Sequence, residues 1–227
     1  MKKHPFTLIE LLVVIALAAL LMGIGLPALS SLTTGRLPEQ AASQVAAQLD
    51  LARVTAVSNN QYVALVFPVS GESNTGAPAN YLNSVYRMAV VYKNNSDKYE
   101  FVKWVPDSKW EHFPEGVVLN AGASDFGVQD GTTLGSESCG TNFQVIKMNH
   151  DNASSVSRCV IFRPGGRLAM PSGSEMKNMV IRLAEGARIA DGTDIVLRKD
   201  RDGKVIYTCL IINPLTGRSV TKTAEPE

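Results

Sequence analysis

The chain has 227 residues, of which 45% are hydrophobic and 19% are charged, and its formal net charge is +1. This length accommodates an N-terminal anchor and one soluble domain of ordinary size. The near balance of charge, without a long run of like charges, excludes an acidic or basic tail and argues against a general nucleic-acid-binding protein.

The N-terminus combines a short basic segment with a long apolar one. Lys2 and Lys3 precede an apolar stretch that continues to Leu29, and no charged residue occurs from Leu11 to Leu32. At about 1.5 Å per residue, a helix of this length crosses the ~30 Å hydrocarbon core of a bilayer. The positive charges on the short side predict that the N-terminus stays cytoplasmic and that the remainder is exported.

Glu10 interrupts this apolar stretch. A charged side chain within bilayer hydrocarbon costs roughly 2.5–3.5 kcal/mol on insertion scales, so an intramembrane carboxylate indicates a function. It can be neutralised by protonation, by snorkelling to the interface or by a cation at the same depth. Proteolysis just before Phe6 would create such a cation as a new amino terminus.

A second helical segment is predicted over residues 35–60, ending at Asn59-Asn60. Its apolar residues recur at spacings of three and four, which places them on one face. They are Ala42, Val45, Ala46, Leu49, Ala52, Ala56 and Val57.

The rest of the chain is rich in β-branched and aromatic runs. These runs predict strands over residues 61–69, 85–93, 99–105, 143–148, 157–163, 179–183, 194–199 and 205–212. Asp202-Gly203 predicts a hairpin turn between the last two. The sequence therefore predicts an α+β protein in which the apolar stripe of the helix packs on an antiparallel sheet.

Three cysteines, Cys139, Cys159 and Cys209, lie in the exported part. An oxidising compartment permits one disulfide among them, and the pairing stays open. No metal, cofactor or catalytic motif is present, so we predict a protein that is not an enzyme. Asp200 and Asp202 resemble the start of a calcium loop, but the later acidic ligand is missing and a plain turn is favoured.

The segment Phe6-Thr7-Leu8-Ile9-Glu10-Leu11-Leu12-Val13-Val14 resembles the prepilin signature of type IV pilins and type II secretion pseudopilins. The resemblance implies that a membrane peptidase removes a leader, residues 1–5, by cutting between Pro5 and Phe6, and then N-methylates Phe6. It also implies that Glu10 pairs with the Phe6 amine of a neighbouring subunit and that Pro27 marks a helix kink. Pro5 departs from the family, which usually has Gly before the cut and sometimes Ala or Ser.

Three later segments resemble the GspH/FimT minor pseudopilins. They are residues 42–67, in which 51–60 carry the pattern, and residues 161–166 and 211–218. The resemblance implies a pilin-like fold with a leader (1–5), a membrane and assembly helix (6–34), its amphipathic continuation (35–60), a periplasmic β-rich domain (61–218) and a flexible tail (219–227). For Arg53, the alternatives are pairing with an acidic group of a neighbouring subunit and capping the surface of its own domain.

The resemblance implies a single-pass inner-membrane protein that enters a periplasmic filament for type II secretion or type IV pilus assembly. Its expected partners are other pilin or pseudopilin subunits, a prepilin peptidase, the inner-membrane assembly platform and membrane lipid. Two alternatives stay open. One is a membrane-tethered periplasmic binding module, and the other is a secreted enzyme whose export signal ends near Ala16-Leu17-Ala18.

Overall fold

The computed structural model describes residues 8–20, 36–69, 81–94, 99–120, 127–129, 145–150, 153–169, 178–189 and 195–224. The chain divides into two compact units, Met1–Leu37 and Pro38–Glu227. The first unit contains helix α1, residues 8–20. The second contains almost all of helix α2 (Leu37–Ser58) together with the strands.

The described strands, in chain order, are β1 (Tyr62–Phe67), β2 (Val85–Lys93), β3 (Tyr99–Trp104), β4 (Glu111–His112), β5 (Val117–Leu119), β6 (Gly127–Gln129), β7 (Val145–His150), β8 (Ala153–Phe162), β9 (Asn178–Arg188), β10 (Ile195–Leu197), β11 (Tyr207–Ile212) and β12 (Ser219–Ala224). They form two sheets. The α+β composition and the mainly antiparallel pairing agree with the sequence prediction.

Helix α2 presents one apolar face to the domain. Its buried residues are Pro38, Ala41, Ala42, Val45, Leu49, Ala52 and Ala56. The helix ends before Asn60, whose φ of 50° is the left-handed conformation that Asn tolerates after a helix. Val57 was expected on the buried face but is 52% exposed. Each residue advances about 100° around a helix, so Val57 is turned by about that angle from Ala56, which lies on the buried face. Val57 is therefore at the edge of that face.

The first sheet has the order β1-β8-β7-β3-β2-β4, and β1 also pairs with β2. Five strands therefore close into a ring. One apolar cluster is shared by strands of this ring and consists of Ala64, Val66, Ala89, Val91, Tyr99, Cys159, Ile161 and Ala169. The alternate residues of β1, Val63, Leu65 and Phe67, are also buried. Burial on both faces explains why β1 reads as an unbroken apolar run.

The second sheet has the order β10-β9-β11-β12, and β5 and β6 also pair with β9. Gly186 lies where β5, β9 and β10 meet. A Cβ atom there would be 2.6 Å from the Val196 carbonyl oxygen and 2.9 Å from Val118 Cγ2. Only a residue without a side chain allows this close approach of strands.

The structure corrects three expectations. The strands form two sheets rather than one, and β3 pairs with β7 in parallel. β10 pairs with β9 rather than with β11, so the turn at Asp202-Gly203 does not close a hairpin. Residues 219–224 of the expected tail form β12, which pairs with β11 along its whole length. Its side chains are largely exposed, so backbone pairing rather than apolar burial defines this strand.

Candidate functional site

Helix α1 carries the described part of the N-terminal motif. Every side chain from residue 8 to residue 20 is exposed, and Leu8 and Ile9 are 83% and 71% exposed. Glu10 is part of this helix and is exposed like its neighbours. A helix that is apolar all round needs lipid or protein around it, so this surface is a candidate assembly surface.

The remaining residues of the predicted N-terminal site, Pro5, Phe6 and Pro27, lie outside the described residues, as does Cys139. The pairing of Glu10 with Phe6 therefore stays a prediction. Within the described ranges, no helix combines the length and apolarity that crossing a membrane requires.

Two tight turns in the second unit bring the later motifs together. In the first turn, Arg163 N donates to Arg167 O at 2.8 Å and Gly166 N donates to Arg163 O at 2.8 Å. Gly166 has a φ of 75°, which favours glycine. The motif residues of this segment therefore build a turn directly after β8.

The second turn joins β11 to β12 and is organised by Asn213. Its Oδ1 accepts hydrogen bonds from Leu215 N at 2.9 Å and Thr216 N at 3.0 Å. Gly217 N donates to Asn213 O at 2.8 Å with a φ of 65°. Leu168 N also donates to Pro214 O at 3.0 Å, and this bond ties the two turns together.

Arg53 of α2 packs against both turns. Its Nη1 donates to Thr216 O at 3.4 Å, and its Nε lies 3.6 Å from Asp50 Oδ1. A Cβ atom on Gly217 would lie 2.5 Å from Gly166 O and 2.8 Å from Arg53 Cδ. The three segments singled out in the sequence thus meet in one place, which we call the Arg53 junction. Of the two alternatives for Arg53, this geometry supports the cap on its own domain.

A cleft of about 250 Å³ opens between α2 and the β2–β4 edge. Its lining includes Gln48, Leu51, Tyr86, Arg87 and Glu111. Burial, and secondarily the charge of Glu111, raises the pKa of Tyr86 to about 12. Burial lowers the pKa of Arg87 from its usual value, although a guanidinium stays charged.

Arg87 also joins an aromatic cluster that the sequence analysis missed. Its guanidinium carbon lies 4.4 Å from the Trp104 ring centroid and 5.8 Å from that of Trp110. The two tryptophan rings meet edge to face at 5.1 Å. A positively charged residue in the apolar run of β2 was the only sequence signal for this arrangement. The cleft beside this cluster combines charged, polar and apolar lining residues, so it is a candidate binding site.

The structure contradicts a disulfide between Cys159 and Cys209. Both are buried without a disulfide, Cys159 in β8 of the first sheet and Cys209 in β11 of the second. Burial raises the pKa of the Cys209 thiol, and the charge and hydrogen bond of Arg182 oppose this shift. These thiols are therefore core residues that are poorly reactive in the folded protein.

The turn at residues 200–204 is not built like a cation site. Asp200 Oδ1 accepts hydrogen bonds from Asp202 N and Lys204 N, both at 2.9 Å, and Gly203 has a φ of 78°. The carboxylate therefore caps the turn, as the sequence favoured. In the part of the chain that the structure describes, no group of three or more His, Cys, Asp or Glu residues is placed to hold a metal ion.

Comparison with known families assigns the N-terminal segment. Residues 3–26 match the family model described as a prokaryotic N-terminal methylation motif. No curated protein and no solved structure gave a match. The chain is prepilin-like at its N-terminus, and the motif implies processing by a prepilin peptidase and contact with pilin or pseudopilin machinery.

Proposed function

We propose that this protein is a minor pseudopilin, a structural subunit of a periplasmic filament that serves type II secretion or type IV pilus assembly. The match of residues 3–26 to the N-terminal methylation motif carries the proposal. In this role a peptidase cuts between Pro5 and Phe6, and the new Phe6 amino group is methylated. The protein's task is mechanical rather than catalytic.

The physical properties of α1 support an assembly role. Its exposed surface is apolar except at the carboxylate of Glu10 and includes Leu11, Leu12 and Ile15. When such a helix moves from lipid into a bundle of like helices, it exchanges one apolar environment for another, so packing and polar contacts decide its position. A Glu10–Phe6 amine pair between neighbouring subunits would then fix the axial register, because a misaligned subunit would leave a buried charge uncompensated.

The Arg53 junction supports the narrower assignment to the GspH/FimT type. The segments 51–60, 161–166 and 211–218 are far apart in the sequence, yet each resembles that group, and Arg53, Gly166 and Gly217 pack together. Because the three segments pack against one another, one packing requirement acts on all three, and this explains why all three resemble that group. The junction joins α2 to the two turns of its own domain.

Mass spectrometry of the mature N-terminus tests the proposal. The full chain is expressed in a host with a prepilin peptidase and in the same host without it. We expect a chain that begins with N-methylated Phe6 only when the peptidase is present. Pro5→Gly is the matched variant, because proline fixes φ and lacks an N–H, and it should be cleaved at least as completely.

Other termini would contradict the proposal. An intact Met1 in both Pro5→Gly and the parent chain would indicate a tethered periplasmic module. A chain beginning near Ala19 would indicate a secreted protein with an ordinary export signal. If Pro5→Gly is cleaved and the parent chain is not, the parent chain is not processed as proposed.

A further inference from the structure

A cationic and aliphatic surface lies beside the Arg53 junction. It consists of Val57, Arg163, Arg167, Leu215 and Arg218, and we call it the turn surface. The three arginines are exposed, and Val57 and Leu215 are 52% and 49% exposed. Charged and aliphatic side chains are thus combined on one exposed surface.

Backbone contacts keep the members of the turn surface close together. Arg163 N donates to Arg167 O at 2.8 Å, and Arg218 O accepts from Asn213 N at 2.9 Å. The two turns meet where a Cβ on Gly217 would lie 2.5 Å from Gly166 O. Val57 borders the first turn, because a Cβ on Gly166 would lie 3.2 Å from Val57 Cγ2. The surface is therefore assembled by rigid turns rather than by long loops.

The guanidinium groups of the turn surface lack an anionic partner within the described residues. No ion pair and no hydrogen bond of a guanidinium group joins Arg163, Arg167 or Arg218 to another described residue, although the backbone N of Arg218 donates to Thr216 Oγ1 at 3.3 Å. Arg53 differs from them, because it contacts Asp50 and Thr216. Three like charges carried by two adjoining turns favour an anionic partner, because opposite charges attract.

The aliphatic neighbours distinguish between two kinds of anionic partner. A polyanion such as nucleic acid is bound through many phosphate contacts spread along a broad basic surface, and the chain's net charge is only +1. Protein interfaces instead combine arginines with apolar groups, because the guanidinium binds carboxylates in a bidentate manner and is weakly hydrated. Val57 and Leu215 beside the arginines therefore favour a protein partner.

We propose that the turn surface docks an acidic segment of a partner protein, in which two or more carboxylates alternate with aliphatic side chains. The carboxylates pair with Arg163, Arg167 and Arg218, and the aliphatic groups cover Val57 and Leu215. This inference does not depend on cleavage at Phe6, so it can hold or fail independently of the pseudopilin role.

Site-specific photocrosslinking in cells tests the docking surface. A photoreactive amino acid replaces Leu215 in the full chain, and the crosslinked peptide is sequenced by mass spectrometry. We expect a peptide that carries at least two Asp or Glu residues next to aliphatic ones. The variant Arg163→Glu/Arg167→Glu/Arg218→Glu should reduce this crosslink about tenfold or more, because each carboxylate then meets a like charge.

The matched control is Lys199→Glu/Arg201→Glu/Lys204→Glu, which makes the same change of charge at another exposed turn. It should leave the crosslink at Leu215 unchanged, and both variants should keep the thermal midpoint of the parent chain because all six side chains are exposed. Reversing the partner's carboxylates to lysine should restore the crosslink to the Arg163/Arg167/Arg218 variant. A crosslink to nucleic acid, a peptide without carboxylates or equal loss in both variants would overturn the proposal.

Discussion

Gly217 lies against the side chain of Arg53, with space for hydrogen atoms only. A Cβ atom on Gly217 would be 2.8 Å from Arg53 Cδ, 3.1 Å from Phe162 Cε1 and 2.5 Å from the carbonyl oxygen of Gly166. The glycine also has a φ of 65°, which other residues rarely adopt. Two separate requirements, conformation and space, therefore act on one residue of the Arg53 junction.

Gly217→Ala should destabilise the domain by about 2–4 kcal/mol, because the new methyl group meets backbone and ring atoms that cannot move freely. The control is Gly203→Ala, which has a similar φ of 78° but nothing within 4 Å of the added Cβ. It should cost only about 1 kcal/mol. Urea unfolding followed by tryptophan fluorescence measures both, and equal losses would show that the close approach at Arg53 has no energetic effect.

Tyr86 makes stability depend on pH in the alkaline range. Its side chain is 3% exposed and packs between Phe67 and Phe113, with ring centroids at 6.2 Å and 5.5 Å. Burial raises its pKa from 10.0 to about 12, so the folded state keeps the proton after the unfolded chain has lost it. The neutral phenol therefore contributes stability that is complete below pH 10 and is lost as the pH rises toward 12. The loss approaches roughly 2–3 kcal/mol.

The measurement compares the unfolding free energy of the parent chain with that of Tyr86→Phe between pH 9 and pH 11.5. Phenylalanine cannot ionise, so the variant should lose less stability over this range, while other titrating groups affect both proteins alike. Glu111→Gln should weaken the dependence slightly, since Glu111 is the smaller cause of the shift. Parallel pH curves for the parent chain and Tyr86→Phe would refute this account.

Cys159 and Cys209 should behave as protected thiols. Their exposed fractions are 0% and 1%, and they lie in different sheets. We expect N-ethylmaleimide to leave both unmodified in the folded protein and to label both after unfolding without a reductant. Peptide mapping identifies the labelled positions. Labelling that required prior reduction would mean that these residues take part in a disulfide, against the structure.

Much of the fold could be predicted in segments with a buried face, because burial leaves a pattern of apolar residues in the sequence. β2 was predicted with its observed ends, Val85 and Lys93. Of the buried alanines of α2, Ala42, Ala52 and Ala56 appeared in the helical pattern, whereas Ala41 did not. The parallel pairing of β3 with β7 could not be predicted, because it depends on backbone hydrogen bonds between segments that are distant in the sequence. β12 was missed although it follows β11 directly, because backbone pairing rather than apolar burial defines it. Val220 is 59% exposed, so β12 carries little apolar signal of a strand.

The candidate sites, like the fold, could be predicted only in part from the sequence. Local resemblance singled out the segments that contain Arg53, Gly166 and Gly217, but the contact of these residues with one another requires the fold. The sequence left the pairing of Cys139, Cys159 and Cys209 open, and the structure excludes only the pairing of Cys159 with Cys209, which lie in different sheets. A count of cysteines in an exported chain says nothing about which sheet each one enters. The stacking of Arg87 on Trp104 was missed for a similar reason, since the two residues lie on neighbouring strands.

Glu10 should separate membrane insertion from filament assembly. Glu10→Gln removes a charge that costs roughly 2.5–3.5 kcal/mol within the bilayer, so insertion should be unchanged or improved. If the carboxylate pairs with the Phe6 amine of a neighbouring subunit, the same substitution leaves that amine uncompensated and assembly should fall by more than about tenfold. Quantitative blotting of membrane and sheared-filament fractions measures the two effects, and N-terminal mass spectrometry verifies that Phe6 is still exposed by cleavage.

Glu10→Asp is the matched control, because it keeps the charge on a side chain one methylene shorter. It should insert as poorly as the parent chain and retain more assembly than Glu10→Gln. The opposite effects on insertion and assembly are informative, since general misfolding would lower both. Should Glu10→Gln enter filaments at the parent level, the carboxylate would have no role in assembly, and snorkelling to the cytoplasmic interface would account for its position.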